Sequence, residues 1–283
     1  MLIEYRKSTD RPLKIGCLTS PHVTNIRERI KLDGFPISEE LFAKYFFEIW
    51  EQIKQNTQRE GDLSGPRVPG YPGFLALMAL YTFVQEGVNV AVIETGIGGE
   101  NDSTNVIQSP TVTGITTIGL DYINVLGDSL DKIAWHKAGI FKEASPAYTV
   151  EQNSSVLEVL QNRAAEKRIS GQLQVVPEQL ASRYAVTIEP DMPFQRRNAS
   201  LAVALVEACL KALRPGFTMT PQIASSLTKT ELPGRSQMIK EEKLEWFITS
   251  AHNELSIDVA ASWYKDAVES FKCVLKSLDR VVC

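Results

Sequence analysis

Several short segments of this chain carry side chains suited to phosphate, divalent-cation or acyl chemistry. VIETGIGGENDSTN (residues 92–105) puts Glu94 at the end of a β-branched run and follows it with Gly96, Gly98 and Gly99. A carboxylate at a strand end, facing backbone that glycine lets approach closely, suits a hydrated Mg²⁺ beside phosphates. A plain strand-to-turn junction reads equally well from this segment alone. CLTSPHV (17–23) ends a strand at Ser20, Pro21 and His22, where a hydroxyl and an imidazole are candidate metal or substrate contacts. Taken singly, a Ser-Pro turn with a solvent-facing histidine is the commoner use of such a run. IGLDYINVLGDS (118–129) is a third strand-end loop, with Asp121 as a supporting acid. HKAGIFK (136–142) closes a short helix with Lys137, a residue type that is usually just solvated there. PGRSQ (233–237) offers Arg235, whose planar fork matches phosphate oxygens two at a time. SAHNE (250–254) sets His252 after an apolar strand and before a helix.

The elements that position these residues alternate along the chain. LKIGCLTS (13–20) reads as a buried strand. Residues 37–55 read as a helix with Ser38 as N-cap, acids in the first turn and aromatics at helical spacing. Residues 73–87 read as an apolar helix closed by Gly87. VNVAVIET (88–95) reads as a strand buried on both faces of a parallel sheet, and residues 111–120 as a second one. Further helices are expected near 129–138, 155–167, 198–213 and 254–271, and strands near 146–150 and on either side of residues 241–243. Strands separated by helix-length connections give an α/β fold with a parallel sheet. The Pro-Gly step within residues 232–235 marks a domain boundary, giving units 1–234 and 235–283.

Composition excludes several classes. The 30 Lys and Arg against 34 Asp and Glu leave a net charge of −4, with no basic stripe to displace counterions from a nucleic acid. The longest apolar stretch, residues 74–84, is about half a membrane span. MLIEYRKSTDRPLK has neither the apolar core of a signal peptide nor the acid-poor character of a transit peptide, so the expected location is the cytoplasm. Cys17, Cys209, Cys273 and Cys283 lack metal-site spacing and read as scattered thiols.

Each motif is weak alone, but their order is distinctive. TSPH, RERI, ETGIGGENDSTN, GLD, HKAGI, RRNA, PGR and AHN follow one another over residues 13–265. In that order and at those spacings they resemble folylpolyglutamate synthase, an ATP-dependent amide-bond ligase of the Mur-ligase group. The resemblance implies a Mur-ligase-like parallel-sheet ATPase and folate-binding domain, N-terminally incomplete, followed by the start of a Rossmann-like C-terminal glutamate-ligase domain. It implies ATP and Mg²⁺ as cofactors and a folate and L-glutamate as substrates, with glutamate added to the folate γ-carboxyl. Ser20 and Glu94 match metal-binding positions, and Lys137 a lysine that takes up CO₂ as a carbamate. Asn198, Arg235 and His252 match ATP-binding positions, while Pro21 and His22 fall in a loop expected near the folate.

Three departures accompany the matches. No Gly-Lys dipeptide, the end of the family's phosphate loop, occurs in these 283 residues. Tyr122 stands where the family has a metal-binding histidine, and a protonated phenol, with a pKa near ~10, is a poor Mg²⁺ ligand. Thr249 and Ser250 replace the Asp-Gly of the C-terminal turn. The expectation is therefore an incomplete, diverged member with impaired ligase activity. The alternatives are a non-catalytic folate- or partner-binding protein and a ligase recruited to another small carboxylic acid.

Overall fold

The computed structural model describes residues 1–9, 13–59, 68–230, 232–242 and 244–278. The Cys273 side chain and Cys283 lie outside the described part, while Cys17 and Cys209 are half-buried free thiols. The chain opens with α1 (Leu2–Lys7), β1 (Ile15–Leu18), β2 (Ile30–Leu32), β3 (Phe35–Pro36), α2 (Glu39–Arg59), α3 (Tyr71–Gln85) and β4 (Val90–Ile93). It continues through β5 (Thr113–Ile115), α4 (Ile123–Leu126), α5 (Leu130–Lys137), β6 (Ala147–Val150), α6 (Ser154–Glu166) and β7 (Gln174–Val176). The last elements are α7 (Pro193–Leu213), α8 (Pro221–Ser225), β8 (Gln237–Lys240), β9 (Glu245–Ile248) and α9 (Glu254–Leu278).

Two parallel arrangements organise the molecule. β1 and β4 run parallel, with Leu18 opposite Ile93, and β2 and β3 extend that sheet antiparallel in the order β3-β2-β1-β4. β5, β6 and β7 form a second, wholly parallel sheet. A two-stranded hairpin, β8-β9, follows the Pro-Gly step. The α/β class and the parallel sheet follow from this alternation of strands and helical crossovers.

Helices close the faces as the periodicity requires. Ser38 Oγ accepts the Leu41 amide at 3.2 Å, capping α2, and Glu39 and Glu40 sit favourably at its positive end. The inner stripe of α2, with Tyr45 and Ile49, packs on Phe74, Met78 and Phe83 of α3. Helix α7 serves both sheets. Its Ala199, Val203 and Leu210 pack with Ile15 and Val90, and its Leu201 and Ala204 with Val150 and Val176. Gly114 in β5 has no side chain because a Cβ there would lie 2.6 Å from Leu205 of α7. On the other face of the second sheet, Ile133, Phe141 and Leu160 are wholly buried together.

The strand over 88–95 is shorter and more open than its composition implies. Ala91 and Val92 are exposed, Val92 by 46%. The reason is topological: among the described residues β4 pairs only with β1 and ends its sheet, as β5 ends the other. A β-branched run reports strand propensity, whereas burial on both faces requires helices packed over each face, and an edge strand is less completely covered. Residues Leu2–Lys7, for which no element was expected, form α1, whose Leu2 and Tyr5 pack on Phe217 and Met219.

Phe141 is the clearest test of this packing. Phe141→Ala is expected to lower unfolding free energy by about 3–5 kcal/mol, since the closed cluster around it cannot collapse into the space. Guanidinium denaturation followed by circular dichroism measures this; a loss below about 1 kcal/mol would contradict the packing described.

Candidate active site

Strand ends gather the chemistry. Parallel register carries β1 and β4 to the same level, so the loops after them leave side by side. The Glu94 amide donates to the Leu18 carbonyl at 2.9 Å, extending the ladder by one step, and the Ser20 amide donates to Glu94 Oε2 at 2.7 Å. Glu94 is thereby oriented by backbone, and its Oε1 has no hydrogen bond to a described residue. From the far end of the chain, Arg235 Nη2 donates to the Ser20 carbonyl at 2.8 Å. Ser20, Glu94 and Arg235 thus meet across more than 200 residues of sequence.

The glycine-rich loop after Glu94 is folded by its own side chains. Asp102 accepts the Ile97 amide at 2.9 Å and both the amide and hydroxyl of Thr104, at 2.9 and 2.6 Å. Gly98 takes φ +72°, open to glycine at little cost, and a Cβ there would also strike Leu126. The Glu100 amide donates to the His136 carbonyl at 2.7 Å, so the loop docks on the last turn of α5, beside Lys137. A Cβ on Gly139 would land on the Glu100 backbone, which explains the glycine in HKAGI. The Glu100 carboxylate is held by Arg163 and by Lys167 at 3.2 Å. Arg163 is almost fully buried, lies 4.3 Å from the Trp135 ring centroid and also pairs with Glu166 at 2.6 Å.

A second grouping forms after β5. Lys137 is half-buried, with no hydrogen bond to a described residue. Burial pushes its ammonium pKa down, and the Asp121 charge opposes that. His252 Nε2 stands 3.5 Å from Asp121 Oδ2, while its Nδ1–H donates to the Ser250 carbonyl at 2.8 Å. The Ser250 carbonyl and the Asp121 charge raise the imidazole pKa.

Comparison with known proteins follows this pattern. The chain is 42% identical over 282 residues to the folylpolyglutamate synthase of Neurospora crassa, covering 98% of this chain and 52% of that protein. It is 38% identical over 280 residues to the mitochondrial folylpolyglutamate synthase of Bos taurus, covering 90% and 47%. The chain is similar to folylpolyglutamate synthases over nearly its whole length. It spans about half the length of the curated relatives it matches. Superposition on a folylpolyglutamate synthase solved with AMPPCP and folate gives a TM-score of 0.78 at 26% identity, over 94% of this chain and 67% of that one. No protein-family profile matches the chain.

Not every residue matched to the family is gathered at these strand ends. Asn198 lies exposed near the start of α7 and bonds to neither grouping. Tyr122 is 47% exposed in the left-handed region, at φ 49°, and precedes α4. Pro21 is exposed, whereas His22 is half-buried and accepts a bond from Arg29 Nε at 2.9 Å. No trio of His, Cys, Asp or Glu clusters as a metal site among the described residues. One free carboxylate oxygen and a hydroxyl do fit Mg²⁺, which takes few protein ligands and keeps several waters. No described helix is long and apolar enough to cross a membrane.

Sequence reading passed over Glu28, Arg29, Glu100 and Arg163. Glu28 was findable: Asn25-x-x-Glu28 has the form of a capping box, and both reciprocal bonds are made. Its carboxylate also accepts the Val23 amide and the Thr24 hydroxyl, and these bonds, the hydroxyl's first, pull its pKa down to about 2.

The His252 titration checks the second grouping. A raised folded pKa means the contact stabilises the fold below the ordinary imidazole value of ~6.5 and is lost as pH rises through the higher folded midpoint. NMR titration is expected to place the His252 midpoint above that of a free imidazole. Asp121→Asn should lower it only partly, because the Ser250 carbonyl remains; an unshifted wild-type midpoint would refute the contact.

Proposed function

We propose that the protein is an ATP-dependent ligase that joins L-glutamate to the γ-carboxylate of a folate. The observation that carries this is the match to folylpolyglutamate synthases over nearly the whole chain. A structural relative captured with AMPPCP and folate supports the same pair of ligands here. In the reaction, a γ-carboxylate oxygen attacks the terminal phosphorus of ATP and ADP departs. The glutamate amine then attacks the acyl carbon, loses a proton, and phosphate leaves as the amide forms.

The difficulty in both steps is charge: phosphate oxygens and a carboxylate must approach one another. Glu94 and Ser20 are the residues that would hold Mg²⁺, which supplies compensating positive charge. Arg235, now on the Ser20 carbonyl, would turn to a phosphate oxygen, a stronger acceptor. Asn198 is assigned to the nucleotide base, and His252 to supporting the nucleotide from the C-terminal side. Pro21 and His22 face the folate. Lys137 is assigned the carbamate. CO₂ adds only to a neutral amine, and burial of Lys137 enlarges the neutral share.

These 283 residues carry no Gly-Lys phosphate loop, and Tyr122 and Thr249 replace polar groups the family uses. With tetrahydrofolate, ATP, Mg²⁺ and labelled glutamate, this polypeptide by itself is therefore expected to turn over at least about a hundredfold below an intact synthase. Turnover near the intact rate would refute the assignment of catalytic weight to those groups. Calorimetry separates the readings: heat with folate but not nucleotide is the signature of a binding protein, and heat with neither removes the folate assignment.

Lys137 has its own test. Under ¹³CO₂ the protein is expected to give a carbamate carbonyl resonance that Lys137→Arg abolishes, an arginine being protonated throughout. A resonance surviving in the variant would remove Lys137 from the proposal.

A further inference from the structure

Arg29 makes a contact that none of the roles above uses. Its Nε–H donates to His22 Nδ1 at 2.9 Å. Its guanidinium carbon lies 5.5 Å from the centroid of the Tyr71 ring, a cation–π seat. Its carbonyl accepts the Thr19 amide at 2.9 Å, next to Ser20. The turn Ile26–Arg29 that carries it is closed by the Asn25 and Glu28 capping box. Backbone and side chain are both anchored, so the Nε–H direction is set before any ligand arrives.

A guanidinium has only donors and keeps its protons at any ordinary pH. The nitrogen that faces it must offer a lone pair, which places the single proton of neutral His22 on Nε2. We propose that Arg29 is a positioning residue that fixes His22 as its Nε2–H tautomer, making it a neutral donor to an oxygen acceptor of the folate. This rests on the reading of the Ser20–Pro21–His22 loop as folate-facing. The consequence is selective. A carbonyl or carboxylate oxygen completes the bond, whereas an amino or N–H group opposite Nε2 sets donor against donor and leaves both unpaired.

The chain has three histidines, His22, His136 and His252, so ¹⁵N-histidine labelling yields a tractable spectrum in which His22→Gln identifies the His22 pair. At about pH 8.5, wild-type His22 is expected to show one lone-pair-type and one proton-bearing nitrogen, widely separated. In Arg29→Met, and also in Arg29→Lys, which keeps the charge without the Nε–H, that separation should collapse toward the average of a tautomer mixture. His136 and His252 should stay unmoved. Folate affinity by calorimetry should fall about tenfold in both variants, the loss of one oriented bond. A wild-type His22 that averages its tautomers, or carries its proton on Nδ1, overturns the proposal without any variant. A separation that survives Arg29→Lys overturns it too, as does full folate affinity in variants whose tautomer has collapsed. A wild-type protein that binds no folate would instead overturn the folate reading, while the nitrogen shifts still decide the tautomer lock.

Discussion

The hydrogen bond from the Ser20 amide to the Glu94 carboxylate holds the site in register. It exists because β1 and β4 are parallel and paired Leu18 to Ile93, so the two chains leave the sheet at one level. A slip of one residue would reverse the facing of every side chain beyond and carry Glu94 away from Ser20. Register here is defended by burial: Leu18 packs with Ile30 and Phe83, and Ile15 with Val90 and Val203. The apolar core thus sets the position of a carboxylate that lies outside it.

From that point the glycine-rich loop carries position onward. It links Glu94 to the turn bearing Lys137 through a backbone bond, Glu100 to His136, which needs no specific side chain at either end. Side chains hold the loop elsewhere: Asp102 from within, and Arg163 with Lys167 through the Glu100 carboxylate. Burying Arg163 is costly, and the cost is offset because its charge meets two carboxylates and an aromatic face. Removing Glu100 would leave that buried charge only the more exposed Glu166 carboxylate. None of the roles proposed above falls on this cluster, so its contribution is rigidity in the loop it holds.

Much of this was legible in the residues, and the omissions have physical causes. Helix α2 announces itself through its Ser38 cap and aromatics at helical spacing, and α3, α6 and α7 through apolar runs of helical length, because a helix is written locally. The strand ends before Ser20 and Glu94 were legible because apolar runs stop there in polar residues, whereas the strand expected over 111–120 is shorter: β5 spans only Thr113–Ile115 and leaves Asp121 in the loop beyond it. Their partners were not, since the bond between Arg235 and Ser20 joins residues far apart in sequence and no local pattern encodes it. Val92 was misjudged because burial is a property of the neighbours a strand acquires. Lys137 reads as solvated in sequence, and only the folded loop against α5 shows it half-buried. Arg29 was hidden for a different reason. Within RERI it looks like one charge among several, and its meaning lies in which atom it faces.

The segment after the Pro-Gly step meets the rest of the molecule at two strand-end loops, and it brings a basic side chain to each. Arg235 reaches the loop after β1, and His252 reaches Asp121 after β5. Both contacts are exposed, so solvent screens them and each contributes little to stability. That weakness suits the proposed chemistry. A cation committed to a buried carboxylate would have to break a strong bond before serving a phosphate, whereas Arg235 on a solvent-exposed carbonyl exchanges a neutral acceptor for an anionic one and gains. The Ser250 carbonyl and Asp121 raise the His252 pKa, which favours its charged form relative to a free imidazole. Arg235 and His252 are thus kept near the strand ends by exposed contacts, while the Glu94 and Glu100 carboxylates are tied to a backbone amide and a buried guanidinium.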